Sequence, residues 1–146
     1  MLELYHYGDS LCSMKTRFCL LEKGVEYESH FVDLLQWEHL TEEYKKLNPN
    51  SVVPTIVHDG MPIIESTIIN QYIDEVFDGP SLTPEDPGER ARMRILIKLQ
   101  DDVIHPAIQK PTFNLLMKPL LAKNSDDGHV SRCTVLLGSA REEMVV

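Results

Sequence analysis

Strand, helix and strand follow one another within the first 32 residues. Leu2, Leu4 and His6 alternate with Glu3, Tyr5 and Tyr7, the period of a strand with two distinct faces. Gly8-Asp9 breaks the alternation. Ser13 to Lys23 then carries Met14, Phe18 and Leu21 at helical spacing, and Gly24 supplies a C-terminal stop. Val25 to Val32 returns to strand chemistry through Val25, Tyr27 and Phe31. Two strands separated by a helix are most simply parallel neighbours joined by a right-handed βαβ crossover. A chain that starts this way is expected to build an α/β layer around a small sheet.

The next segments extend that layer. Trp37 to Leu47 places Leu40, Tyr44 and Leu47 in helical register, and Asn48-Pro49-Asn50-Ser51 is a turn cluster. Val52 to Val57 is a β-branched run with Pro54 inside it. A central strand cannot spare the N–H that proline lacks, so Pro54 is expected at the strand's entrance. Asp59-Gly60 signals a hairpin turn into a returning strand over Met61 to Ile64. Ile69, Tyr72, Ile73, Val76 and Phe77 form an apolar helical stripe for which Ser66 is a good N-cap. Residues 1–78 therefore read β-α-β-α-β-β-α, and 79–86 read as a linker. Asp86-Pro87-Gly88-Glu89 opens another helix, with Asp as N-cap, Pro at N1 and Glu at N3. Ala91, Ile95, Leu99 and Val103 continue it. Pro106 and Pro111 are expected to kink or end it, with a further helical piece over Leu115 to Leu121. Lys123 to Val146 shows no sustained period, and disorder is expected over Asn124 to Gly128.

The 146 residues carry a net charge of −9, which argues against a general nucleic-acid binder. No apolar run approaches a membrane span, and the first ten residues lack the pattern of a secretory signal, so a cytoplasmic protein is expected. Cys12, Cys19 and Cys133 make no disulfide framework. Cys12 and Cys19 would stand about 10 Å apart on one helix, too far to bridge. The six histidines are scattered without zinc spacing, so no metal site is expected.

Three short stretches carry chemistry. Ser10-Leu11-Cys12-Ser13 stands where a helix begins. Its unpaired N–H groups and partial positive charge would stabilise a thiolate, of Cys12 or of a bound thiol, and Ser10 could donate a hydrogen bond to it. A plain serine helix cap explains the same residues. Val53-Pro54, at a strand entrance, could use a cis peptide to turn main-chain groups toward a peptide-like ligand; an ordinary trans proline on an edge strand is the competing reading. At Glu65-Ser66 the carboxylate could take an ammonium, while the hydroxyl and a helix N-terminus take a carboxylate. A cap beside an exposed glutamate again competes.

Taken together, these stretches give residues 1–78 a resemblance to the thioredoxin-like N-terminal domain of cytosolic glutathione S-transferases. The carrying motifs are S-L-C-S-M-K-T-R (Ser10 to Arg17), V-V-P-T (Val52 to Thr55) and E-S (Glu65-Ser66). The S-x-C-S start looks most like zeta-type transferases and tetrachlorohydroquinone reductive dehalogenases. The segment from Glu65 to Phe77 also looks like bacterial lignin β-etherase-type transferases. The resemblance implies glutathione as cosubstrate and a homodimer acting in detoxification. Ser10 would activate the glutathione thiolate and Cys12 would be a second sulfur. Val53 would pair with the cysteinyl main chain, with Pro54 cis. Glu65 and Ser66 would hold the γ-glutamyl group, and His39 would reach the glycyl carboxylate unless it is a plain surface histidine.

The expected architecture is thus a thioredoxin-like α/β domain (1–78), a linker (79–86) and a shortened all-α domain (87–146). The family's helical domain is longer, so the pocket for the second substrate is expected to be incomplete or completed by a partner chain. Three functions follow from the resemblance. The first is transfer of glutathione to a small electrophile. The second is dehalogenation, isomerisation or disulfide reduction through Cys12. The third is a non-catalytic glutathione-binding or dimerisation module.

Overall fold

The computed structural model describes residues 1–120. Cys133, His129 and the expected disorder over Asn124 to Gly128 lie outside the described residues. The chain divides into two compact units, Met1–Ile97 and 98–146.

The first unit is built on a four-stranded sheet of order β2-β1-β3-β4. Its strands are β1 (Leu2–His6), β2 (Glu28–Phe31), β3 (Thr55–His58) and β4 (Met61–Ile63). β1 and β2 pair in parallel, with Glu3 opposite Glu28 and His6 opposite Phe31, as the intervening helix requires. β3 runs antiparallel to β1, pairing Leu4 with Ile56 and Tyr5 with Thr55. β4 returns along β3 through Asp59-Gly60, where both residues hold positive φ, 49° and 82°. That pair of angles is what a two-residue hairpin matched to strand twist needs. Pro54 stands just before β3, outside the ladder.

The alternation in β1 sorts its neighbours onto two sides. Leu2 and Leu4 join Ile56 under the helices α1 (Leu11–Lys23) and α3 (Ser66–Val76), with Cys19, Leu20, Ile69 and Ile73 completing that core. Tyr7, Val32, Tyr44 and Val53 form a second cluster, to which α2 (Glu42–Leu47) contributes Tyr44.

Several elements differ from the sequence expectation. The second strand is shorter: Val25 and Tyr27 precede it and pack against the core instead, because the Gly24 cap (φ 68°) folds Val25 back to donate to the Leu20 carbonyl. The helix expected over Trp37 to Leu47 is two 3₁₀ turns, Leu34–Gln36 and Glu38–Leu40, followed by the short α2. Trp37 (φ 62°) is left-handed and ends the first turn, and Thr41 caps α2 by accepting the Tyr44 amide. In α1, Phe18 and Leu21 face outward, and the buried residues are Ser13, Thr16, Cys19, Leu20 and Lys23. Small and hydrogen-bonding side chains let α1 dock on the sheet and on α3 through polar contacts, so its apolar stripe is not what it buries. Ser66 is the first residue of α3 rather than its cap. Glu65 occupies the cap position without a side-chain hydrogen bond to the helix.

After the linker, Asp86 accepts the Glu89 amide at 2.9 Å and opens α4 (Pro87–Leu99) as expected. In the second unit the backbone stays helical through both prolines instead of ending at them. Wider π turns over Gln100–Ile104 and Phe113–Met117 flank α5 (His105–Thr112). Proline cannot close an α turn with its own nitrogen, and wider turns are one way a helix accommodates that. No helix among the described residues is long and apolar enough to cross a membrane.

Candidate functional site

Ser10 is the N-cap of α1, and its Oγ accepts the Ser13 amide at 3.2 Å. Accepting uses a lone pair and leaves the hydroxyl proton available to donate outward. Capping and donation to a sulfur are therefore compatible in one side chain. The cap is anchored to the end of β1: the Ser10 amide donates to the Tyr7 carbonyl at 3.3 Å, and Arg17 Nη2 donates to the Gly8 carbonyl at 2.7 Å. Burial, then the Arg17 charge, lowers the pKa of His6 beneath this turn. Cys12 lies half-buried in the first turn of α1. Cys19, two turns on, differs sharply. Burial first, then the Asp74 carboxylate, pushes its thiol up to about 11, which makes it a poor nucleophile.

The Val53–Pro54 peptide is cis, and both residues are buried. Glu65 holds φ 69° and ψ 107°, a conformation rarely adopted by residues other than glycine. Strain of this kind persists where surrounding structure over-determines it, and it gathers at ligand sites. Glu65 is exposed, and Ser66 immediately follows it in the first turn of α3.

Direct contacts bring these stretches together. Lys15 on α1 donates to Thr67 Oγ1 at 2.8 Å, and Asn70 Nδ2 donates to the Lys15 carbonyl at 3.4 Å. The N-terminus of α1 is thereby tied to that of α3. Asn50, in the loop before Val53, donates to Glu65 Oε1 at 3.4 Å. Ser10, Val53 and Glu65-Ser66 thus sit on three segments that are joined to one another. His39 is not joined to them by any described hydrogen bond. It lies in the second 3₁₀ turn with its ring 5.9 Å from that of Trp37, its Nδ1 is enclosed without a partner, and burial lowers its pKa.

The sequence reading missed the residues beneath the loop. Tyr44, Asn48 and Thr55 form a buried hydrogen-bonded group against the Val52 carbonyl. In the sequence Tyr44 showed only a helical register, Asn48 a turn cluster and Thr55 the end of V-V-P-T, with nothing to join the three. Among the described residues no group of three or more His, Cys, Asp or Glu side chains could hold a metal ion.

Comparison with known proteins places the fold in a family. Protein LigF of Sphingobium sp. (strain SYK-6) is 38% identical over 128 residues, covering 86% of this chain and 50% of LigF. The crystal structure of that β-etherase superposes with a TM-score of 0.83 at 35% identity, over 90% of this chain and 54% of its own. Maleylacetoacetate isomerase of Mus musculus is 37% identical over 105 residues, covering 70% of this chain and 49% of the isomerase. A maleylacetoacetate isomerase from Methylobacterium extorquens AM1, solved with bound malonate and glutathione, aligns with a TM-score of 0.64 at 33% identity, over 66% of this chain and 46% of its own. The chain spans about half the length of the relatives it matches. The family model for the glutathione S-transferase N-terminal domain matches residues 1–75, and the chain belongs to that family.

Proposed function

We propose that this chain binds glutathione and activates its thiol for attack on a small electrophile. The observation that carries the reading is the pairing of two helix N-termini, α1 at Ser10 and α3 at Ser66, through the Lys15–Thr67 hydrogen bond. Each end offers unpaired N–H groups and partial positive charge. A ligand that spans them needs an anionic group at each end, and glutathione carries a thiolate at one and the γ-glutamyl carboxylate at the other. Ser66 and the α3 terminus would take that carboxylate and Glu65 its ammonium. Val53 would pair with the cysteinyl main chain. His39, whose pKa is lowered by burial, would give the glycyl carboxylate an N–H hydrogen bond.

In the reaction the glutathione thiol loses its proton to solvent. Ser10 keeps its own proton and donates it as a hydrogen bond to the thiolate. The sulfur lone pair then bonds to the electrophilic carbon, and the leaving group departs with its electron pair. Lowering the thiol pKa by two units corresponds to about 2.7 kcal/mol, within reach of a hydroxyl donor and a helix terminus together. The structure of a relative with glutathione bound supports this reading. A cytoplasmic homodimer, with the electrophile pocket completed by the partner chain, fits it.

The test measures glutathione affinity, the ultraviolet absorbance of the bound thiolate, and conjugation of 1-chloro-2,4-dinitrobenzene. Ser10→Asp is the informative variant because it keeps a cap acceptor but cannot donate to sulfur. It should lose the thiolate signal while α1 stays intact, and Ser10→Thr should restore it. An unchanged thiolate signal in Ser10→Ala would sink the reading. A second reading uses Cys12 covalently, in dehalogenation, isomerisation or disulfide reduction. The place of Cys12 in the same helical turn favours it. It predicts a mixed disulfide with glutathione by mass spectrometry and loss of thiol-exchange activity in Cys12→Ala with conjugation intact. Glutathione binding without turnover of either kind would leave a binding module.

A further inference from the structure

A ring of hydrogen bonds closes beneath the loop that carries Val53. Tyr44 on α2, Asn48 just after it and Thr55 at the start of β3 are all buried, Asn48 and Thr55 completely. The Tyr44 hydroxyl lies 2.7 Å from the Val52 carbonyl oxygen and 3.0 Å from Thr55 Oγ1. Asn48 Nδ2 lies 2.8 Å from the same carbonyl and 3.0 Å from the same threonine hydroxyl.

The acceptors alone assign the protons. A carbonyl has none to give, so the one Tyr44 proton goes to Val52. Thr55 must then donate to the Tyr44 oxygen, and the two Asn48 amide protons go to Val52 and Thr55. Every proton in the ring is used, and the Val52 carbonyl accepts twice. Outside the ring, Asn48 Oδ1 accepts the Asn50 amide at 3.0 Å, and Asn50 reaches Glu65. The Val52 side chain is half exposed, so the loop is held here through its carbonyl rather than by burial of that side chain.

We propose that Tyr44, Asn48 and Thr55 are positioning residues for the ligand, and that the ring fixes the Val52 carbonyl so that Val53 presents its main chain to the cysteinyl part of glutathione. This rests on the reading that the chain binds glutathione. A buried, fully satisfied polar ring has little net advantage in stability over apolar side chains of the same shape. Its effect is geometric. Main-chain pairing with a peptide ligand tolerates displacements of only about 0.5 Å, and two donors converging on one carbonyl hold it to that tolerance. Asn50 extends the same control to Glu65 at the γ-glutamyl end.

Isothermal titration of the full chain with glutathione separates positioning from mere support. A displaced loop weakens affinity in every molecule, whereas a destabilised fold lowers the number of competent sites. Tyr44→Phe removes one of the two protons on Val52. It should raise Kd about tenfold at unchanged stoichiometry. Thr55→Val opens the ring on the side opposite that carbonyl, leaving Tyr44 and Asn48 unbraced, and should raise Kd by about threefold, while Thr55→Ser keeps the ring closed and should stay within about twofold of wild type. Should Tyr44→Phe not fold, Thr55→Val set against Thr55→Ser carries the test. Unchanged Kd in the folded variants, or a fall in stoichiometry alone, overturns the proposal. Absence of binding by the wild-type chain overturns the glutathione reading itself, and the proposal with it.

Discussion

The two helices that begin at the candidate site bury opposite kinds of surface. α3 turns Ile69 and Ile73 fully into the core with Tyr72 and Phe77 packed against it, while Val76 of the same expected stripe is 47% exposed. α1 buries Ser13 and Thr16 completely and leaves Phe18 and Leu21, 59% and 72% exposed, on its outer side. α3 is held by its apolar packing and by the ties it shares with α1 through Thr67, Asn70 and Asp74. α1 is held by Leu20, Cys19 and a set of polar ties: Ser13 to the Tyr7 amide, Lys15 to Thr67, and Lys23 to Asp74. Apolar packing tolerates sliding, whereas hydrogen bonds specify position. On the proposed function, the helix that brings the Ser10 hydroxyl to a sulfur adds directional contacts from Ser13, Lys15 and Lys23 to its apolar packing.

The largest loss should come from α3. Ile73→Ala should cost about 3 kcal/mol in urea unfolding, because it removes a fully enclosed side chain and leaves a cavity. A cost under about 1 kcal/mol would mean that the core collapses around the gap, and the contrast with α1 would fail.

Next comes the buried ion pair of α1. Lys23 Nζ lies 3.1 Å from Asp74 Oδ1, and that carboxylate also accepts the Leu82 amide at 2.9 Å, pinning the start of the linker. Lys23→Ala should cost about 2 kcal/mol, because the carboxylate loses one hydrogen-bond partner but keeps the Leu82 amide. Burial alone would raise the Asp74 pKa, but it is outweighed by the Leu82 amide, Thr83 and Lys23, and the net shift is downward. A carboxyl lowered on folding contributes stability above its unfolded value of about 3.9, lost as pH falls through the folded value. Asp74→Asn should therefore flatten the acid limb of a stability-against-pH curve. An unaltered limb would show that other carboxylates dominate it.

Ser10→Ala should cost about 1 kcal/mol as a lost cap, less than either change above, yet remove most thiolate stabilisation. Smallest of all, Phe18→Ala and Leu21→Ala should each shift the melting free energy by less than about 0.5 kcal/mol in a dilute monomer. A loss that approaches that of Ile73→Ala and grows with protein concentration would show that this face is covered by another chain.

The contrast also explains what could be read from the sequence. β1, the Asp59-Gly60 turn and the buried positions of α3 were legible because each depends on a local period or a local backbone demand. The orientation of α1 was not. A helical wheel ranks Phe18 and Leu21 above Ser13 and Thr16 as core residues, but the small side chains are the ones buried, Ser13 accepting the Tyr7 amide and Thr16 fully enclosed. The turns over 34–40 were hidden for a similar reason. Leu40, Tyr44 and Leu47 share a helical period, but left-handed Trp37 and the Thr41 cap break the chain before α2 begins.

At the site, Ser10, Val53-Pro54 and Glu65-Ser66 announced themselves as residue types with few structural uses in combination. Tyr44, Asn48 and Thr55 did not, because a buried tyrosine, asparagine and threonine have no distinctive spacing. The sequence by itself determined β1, the Asp59-Gly60 turn and the start of α4, since those choices are settled within a few residues by backbone sterics and capping. Tertiary structure alone decided which face of α1 turns inward, that the α1 and α3 termini meet, and that one carbonyl in the Val53 loop takes two buried donors. These depend on partners distant in the chain, 52 residues apart for Lys15 and Thr67, and no local pattern records them.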